Sequence, residues 1–314
     1  MQQFLSVADA PDINALLEKA RAHKANPFGQ HHLGKQKMVI NLFFNPSLRT
    51  RISTEKAARQ LGCDVITYDA GGGWGIEFED GAVMNLNTAE HVREAAGVLS
   101  QYCDILCVRS FPGLKDREAD YRDQVMQAFV RHATVPVVSL ESATRHPLQS
   151  LADCLTIAEH RTKSRPKVVL TWAPHPRQLP QCVANSFAEW MLAWGEVDLT
   201  IANPEGFDLA PAFAPPAIVT HDQRAAFAGA DFIYAKNWSA YTDYGATTAD
   251  CGDWTVDEAK MALTNDAHFM HCLPVRRNVV VSDGVIDSKR SLVLQQANNR
   301  TWAAQAVLGT ILGG

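Results

Sequence analysis

The run Ser47-Leu48-Arg49-Thr50-Arg51 places two hydroxyls and two guanidinium groups between an apolar stretch and an amphipathic one. Upstream, Val39 to Phe44 reads as a buried strand, and downstream Ile52 to Leu61 reads as a helix, so these residues fall on a strand-to-helix turn. There the unbonded backbone N–H groups and the positive end of the helix dipole favour an anion, phosphate above all. Arginine adds a planar fork able to grip two phosphate oxygens. The same residues also suit an ordinary helix start with Ser47 as N-cap, and the choice depends on what the rest of the chain supplies.

The chain has 314 residues, 46% of them hydrophobic, and a formal net charge of -5. That length and composition suffice for two domains with a core in each. The acidic balance, with no basic stripe, argues against a nucleic-acid or membrane-surface partner. The cysteines (Cys63, Cys103, Cys107, Cys154, Cys182, Cys251, Cys272) are odd in number, scattered and without a C-x-x-C pair. Neither a disulfide framework nor a zinc ribbon is indicated, no metal or cofactor is expected, and a reducing compartment fits. With no basic leader and no apolar run of membrane-spanning length, the expectation is a cytoplasmic soluble protein.

Elements that must position such residues alternate along the chain. After a first helix capped by Asp12 come strands at Val39–Phe44, Asp64–Asp69, Ile105–Arg109 and Val135–Leu140. Helices are expected at 52–61, 89–101 and 119–132, with a Gly71-Gly72-Gly73-Trp74 loop between. A helix over 147–160 and an Arg161–Pro166 tail, read as a linker, lead to further strands at Val168–Trp172, Val197–Asn203, Phe232–Lys236, His268–His271 and Leu292–Leu294. The longest helix among these runs from Leu179 to Trp194, and the final stretch Asn298–Leu312 is helical. This alternation predicts an α/β protein of two doubly wound parallel-sheet domains joined by linking helices. The domains are drawn as 1–146 with 297–314, and 147–296. Neither half carries G-x-G-x-x-G or G-x-x-x-x-G-K-[ST], which weakens the dinucleotide and P-loop readings.

Further chemistry-bearing residues sit at predicted strand ends, where open α/β sheets bind ligands: Arg109, the run Thr144 to Gln149, His175, and His271-Cys272-Leu273-Pro274. Together with Ser47–Thr50 these resemble the transcarbamylase family, whose S-x-R-T, H-P-x-Q and H-C-L-P elements occur in this order over nearly the whole chain. The resemblance implies carbamoyl transfer from carbamoyl phosphate to an amine. It implies that Ser47, Leu48, Arg49, Thr50 and Arg109 hold the phosphate, that His146, Pro147, Leu148, Gln149 and Arg300 surround the carbamoyl group, and that Cys272 and the Leu273 carbonyl orient the amine. Arg49, His146, Gln149 and Cys272 are the implied catalytic set. Trp74 resembles a residue that serves a neighbouring subunit's site, which implies a homotrimer. Arg51 lies beyond the family element and is expected to be dispensable. A Cys–His nucleophile at 271–272 is disfavoured, because adjacent strand residues point to opposite faces.

The amine is legible from a departure. Ornithine transcarbamylases carry D-x-x-x-S-M-G to grip the free α-ammonium and carboxylate; here Lys236 stands at the Asp position and S-M-G is missing. A cation suits a carboxylate or amide oxygen, which favours an amine-masked substrate. The chain thus resembles the N-acylornithine branch, with Glu141, His175, Lys236 and Arg276 implied at the substrate. The acyl group turns on Ala89: acetyl-type members carry Glu there and succinyl-type members Pro. Ala89 supplies no carboxylate to repel a second one, and Glu141–Ser150 reads closer to the succinyl type, so succinyl is expected, with acetyl as the alternative. A third possibility is a silent carbamoyl-phosphate-binding protein.

Overall fold

Met38–Phe43 is buried from its second residue onward, the pattern of a strand covered on both faces and so of a parallel sheet sheathed in helices. The computed structural model describes residues 1–246 and 253–313, leaving Cys251 outside the described residues. Its first unit comprises 1–113, 118–148 and 300–314, its second 114–117 and 149–299. The divisions at 148 and 299 fall inside the helices Pro147–His160 and Val293–Leu312.

The first unit contains β1 (Gln3–Phe4), β2 (Met38–Phe43), β3 (Asp64–Asp69), β4 (Ile76–Glu77), β5 (Glu90–His91), β6 (Ile105–Arg109) and β7 (Val137–Glu141). Five of these form one sheet in the order β1-β7-β6-β2-β3, parallel throughout. β4 and β5 pair separately. One face of the sheet packs Ile40, Leu42, Leu106 and Val108 against Val92, Ala96 and Phe129 of the crossover helices. Edge strand β3 leaves Ile66 and Tyr68 exposed at 49% and 45%.

The second unit contains β8 (Lys167–Trp172), β9 (Asp198–Ala202), β10 (Val219–Thr220), β11 (Phe232–Lys236) and β12 (His268–Met270), ordered β10-β9-β8-β11-β12 and again parallel. Val169, Ile233 and Phe269 build its core with Phe227 and Val285. Two buried indoles are satisfied locally: Trp172 Nε1 donates to the Trp238 carbonyl at 2.8 Å and Trp238 Nε1 to the Phe207 carbonyl at 2.7 Å.

Three sequence expectations are corrected. The helix expected over 119–132 is split into Arg117–Tyr121 and Gln124–His132, because Asp123 is left-handed at φ 53° and its carboxylate accepts from Ser142 Oγ, the Ala143 N–H and Thr144 Oγ1 at 2.5–3.0 Å. Leu292–Leu294 is no strand: Ser291 bridges Phe269 once, and Val293 opens the last helix. The 161–166 tail lies inside the second unit, where Arg161 pairs with Glu196 at 2.9 Å and Arg165 with Asp198 at 2.7 Å.

Burial holds the His23 and His268 imidazoles below their ordinary 6.5, with Lys19 adding to the effect on His23 and His160 to that on His268. The unfolded chain then binds more protons below that value, so this contribution is complete above about pH 6.5 and is lost as pH falls through the lowered folded values. The urea midpoint is expected to be lower at about pH 5.5 than at about pH 7.5, and His23→Gln to narrow the difference. An unchanged difference in the variant would contradict this assignment.

Candidate active site

In the first unit the strand-to-helix turn has the form the sequence suggested, with one change. The helix begins at Arg49, its N-cap is Leu48 rather than Ser47, and no side chain caps it. The first-turn N–H groups are thus left to a ligand or solvent. Leu48 is 67% exposed, Ser47 and Arg49 are half-buried, and Thr50 is buried. Arg51 turns away: it pairs with Asp69 and stacks over Phe43 with its guanidinium carbon 5.2 Å from the ring centroid.

Thr50 leads into a contiguous buried cluster. Its Oγ1 accepts from Arg300 Nη2 at 2.6 Å, and the same nitrogen lies 3.4 Å from His146 Nε2. That His146 nitrogen is also 3.6 Å from Glu141 Oε2. Glu141 ends β7 opposite Arg109 at the end of β6, across a register shift. Arg109 donates to Glu141 Oε2 from Nε at 3.1 Å and Nη2 at 2.9 Å, and from Nη1 to the Asn45 and Pro46 carbonyls at 2.8 and 2.7 Å. Four of the five guanidinium N–H groups are thereby used, so Arg109 offers an incoming anion its charge and one N–H rather than a fork. Glu141, expected beside the acylated substrate, is a buried partner of Arg109 within the first unit.

Trp74, half-buried, meets Tyr68 edge to face with centroids 5.8 Å apart, and both line a hollow of about 470 Å³ with Gly73 and Leu99. The Ala89 N–H donates to the Gly75 carbonyl at 2.7 Å, which brings exposed Ala89 beside the Trp74 loop.

In the second unit the ends of β8 and β11 are tied together. The Ala173 N–H donates to the Lys236 carbonyl at 3.1 Å, and Asn237 Nδ2 to the Ala173 carbonyl at 2.7 Å. His175 and Lys236 are thereby neighbours, in a field that includes Arg276 and Arg177. Burial depresses the His175 imidazole first, and Lys236, Arg276 and Arg177 push it down further, against a hydrogen bond from protonated Nδ1 to the Arg177 carbonyl. Cys272 is buried, and Leu273 is left-handed at φ 57°, held by donating its N–H to His271 Nδ1 at 2.8 Å. Pro147 and Leu148 open the helix that carries Gln149. Gln149 is buried and donates to Asp153 at 2.8 Å. Asp153, Gln296 and Asp123 were not singled out from the sequence; Asp153 alone had a signal, four residues beyond Gln149 on one helix face.

No group of three or more His, Cys, Asp and Glu among the described residues is arranged to hold a metal ion, and none of their helices is long and apolar enough to cross a membrane.

Two parallel-sheet α/β units, one with an uncapped helix start next to buried arginines and one with a cationic cluster at its strand ends, define a class of two-domain α/β protein suited to anionic ligands. The family models agree: "Aspartate/ornithine carbamoyltransferase, carbamoyl-P binding domain" matches residues 2–159, and "Asp/Orn binding domain" of the same family matches 181–311. The chain belongs to the aspartate/ornithine carbamoyltransferase family. It is 49% identical to N-succinylornithine carbamoyltransferase of Bacteroides thetaiotaomicron, over 100% of this chain and 99% of that one. It is 37% identical to N-acetylornithine carbamoyltransferase of Xanthomonas campestris pv. campestris, over 100% of this chain and 98% of that one. Among solved structures, an N-acetyl-L-ornithine transcarbamylase with one glutamate replaced by alanine, complexed with carbamyl phosphate and N-succinyl-L-norvaline, superposes with TM-score 0.93 at 37% identity, covering 99% of this chain and 100% of that one.

The Arg109–Glu141 pair is 6–7% exposed at its side chains, and removing one partner strands the other. Glu141→Ala is expected to lower folding free energy by about 3–5 kcal/mol, and adding Arg109→Met to restore part of it. Additive losses in urea unfolding would show that the two residues are not coupled.

Proposed function

We propose that the protein transfers the carbamoyl group of carbamoyl phosphate to the side-chain amine of N-succinyl-L-ornithine, giving N-succinyl-L-citrulline and phosphate, in arginine biosynthesis. The observation that carries the acylated substrate is the cationic field around His175. A free α-ammonium would be repelled there, whereas a ligand whose amine is masked and which bears carboxylates is attracted. For the acyl group, the alanine-substituted relative solved with N-succinyl-L-norvaline supports reading Ala89 as permissive for a second carboxylate.

In this reading Ser47, Leu48, Arg49, Thr50 and Arg109 hold the phosphate, with the first-turn N–H groups of the 49–60 helix as further donors. As the amine nitrogen attacks the carbamoyl carbon, Thr50, His146 and Arg300 stabilise the negative charge growing on its oxygen. Collapse of the tetrahedral intermediate breaks the carbon–oxygen bond to phosphate. Gln149 takes the carbamoyl NH2, and Cys272 with the Leu273 carbonyl orients the amine, which must arrive deprotonated; departing phosphate serves as the proton acceptor. His175, Lys236 and Arg276 bind the acylated amino acid. The domain roles follow: residues 1–146 with 297–314 bind carbamoyl phosphate, and 147–296 the acylornithine.

The reading includes a cytoplasmic homotrimer in which Trp74, and Ala89 with it, serves a neighbouring site. Its support is the exposure of Ile66 and Tyr68 on edge strand β3, with Tyr68 against Trp74 and with Leu48 and Ile52 exposed at the start of the 49–60 helix. N-acetylornithine is the second reading, favoured by the absence of proline at Ala89.

Turnover is expected with carbamoyl phosphate and N-succinylornithine, weaker turnover with N-acetylornithine and none with ornithine; turnover of ornithine alone would overturn the proposal. Ala89→Glu is expected to suppress succinyl use by roughly tenfold or more while sparing acetyl, and an unchanged ratio would remove Ala89 from the specificity argument. Sedimentation equilibrium is expected to give three times the chain mass, and a monomer would refute the shared site.

A further inference from the structure

Asp153 is a carboxylate with no solvent exposure, on the same helix face as Gln149. One of its oxygens, Oδ1, accepts two amide hydrogens: from Gln149 Nε2 at 2.8 Å and from Gln296 Nε2 at 2.7 Å. Gln296 in turn accepts, through Oε1, the His271 N–H at 2.9 Å, and His271 Nδ1 accepts the Leu273 N–H at 2.8 Å. One turn further along both helices the pairing repeats, with Asn299 Nδ2 donating to Thr156 Oγ1 at 3.0 Å and Glu159 Oε2 at 2.9 Å. The register of the two helix segments is therefore set by polar contacts, and Asp153 stands where the chain of bonds branches. All these residues belong to the second unit.

The consequence for Gln149 lies in which amide atom is left over. A primary amide can present either its oxygen or its nitrogen to a ligand, and the two ends are nearly isosteric. A carboxylate can only accept, so Asp153 takes the Gln149 nitrogen and cannot take the oxygen. Gln149 is 1% exposed, and its Oε1 is buried with no hydrogen-bond partner in the structure. A buried oxygen held in this way is an acceptor waiting for a donor, and it carries a penalty until one arrives.

We propose that Asp153 is a positioning residue that locks the Gln149 amide with its oxygen outward, so that the site demands an N–H donor on the acyl carbon of its phosphorylated substrate. Through Gln296 the same carboxylate anchors the Leu273 turn, tying recognition of the donor substrate to orientation of the amine. This rests on the carbamoyl-phosphate reading above and adds what enforces it: an acyl phosphate with methyl in place of NH2 leaves Gln149 Oε1 unpaired and is rejected.

The test is the ratio of acetyl phosphate Ki to carbamoyl phosphate KM, with N-succinylornithine as acceptor. In the native enzyme the ratio is expected to favour carbamoyl phosphate by roughly tenfold or more. In Asp153→Asn the new amide can donate to Gln149 Oε1 and release its orientation, so the ratio is expected to collapse towards about one. In a Gln149→Met background Asp153→Asn is expected to leave the ratio where Gln149→Met has put it. A merely structural role would weaken both ligands alike and leave the ratio intact in either background. Gln296→Met, which leaves the Gln149–Asp153 bond in place, is expected to keep the ratio while raising KM for the amine substrate; this arm stands even if Asp153→Asn fails to fold. A native-like ratio in folded Asp153→Asn, or a collapsed ratio in Gln296→Met, would overturn the inference alone. Failure of the native protein to use carbamoyl phosphate would overturn the functional reading together with it.

Discussion

A guanidinium buried to 5% exposure must find a counter-charge inside the protein, and around Arg109 that requirement organises the first unit. Glu141 meets it from the end of the adjacent strand. The remaining donors of Arg109 draw in the Asn45 and Pro46 carbonyls, which fixes the chain just before the Ser47 turn. Glu141 in turn stands beside His146, and His146 beside Arg300 and Thr50. One ion pair thus sets the spacing between the cradle turn, two strand ends and the last helix. Under the proposed function, a dianion arriving there would meet donors already held in place.

The second unit solves a different problem, that of presenting charge at a surface. The strand ends of β8 and β11 are cross-linked by backbone and Asn237 contacts and backed by the buried Trp172 and Trp238. On that rigid base His175 lies in the field of Lys236 and Arg276, and burial first, then those charges, depress its imidazole. The Asp153 branch point obeys the complementary rule that buried polar groups must be paired, and one amide oxygen, Gln149 Oε1, is left over.

Family membership and these two arrangements support each other without being interchangeable. A match over both halves of the chain establishes the class of reaction. The proposed choice of amine rests on individual residues, chiefly Lys236 and the neutral Ala89.

Much of the fold was legible from residue order. Largely apolar runs such as Val39–Phe43 and Ile105–Val108 suit strands covered on both faces, and their alternation with amphipathic stretches points to parallel sheets. The placement of the motifs was also legible, since Arg49, His146 and Cys272 sit at strand or helix ends where local spacing puts them. What only the tertiary structure decided is the partnering of groups distant in sequence. Glu141 reads equally well as a solvated carboxylate or a substrate contact until β6 and β7 lie side by side and hand it to Arg109. Leu292–Leu294 has strand composition, yet the helix that Val293 opens claims it. Asp153 looks like an ordinary helix carboxylate until Gln296, 143 residues away, arrives on the same oxygen. Local sequence determines propensity and residue chemistry; burial and hydrogen-bond pairing are settled only when remote segments meet, because the cost of an unpaired buried group depends on what faces it.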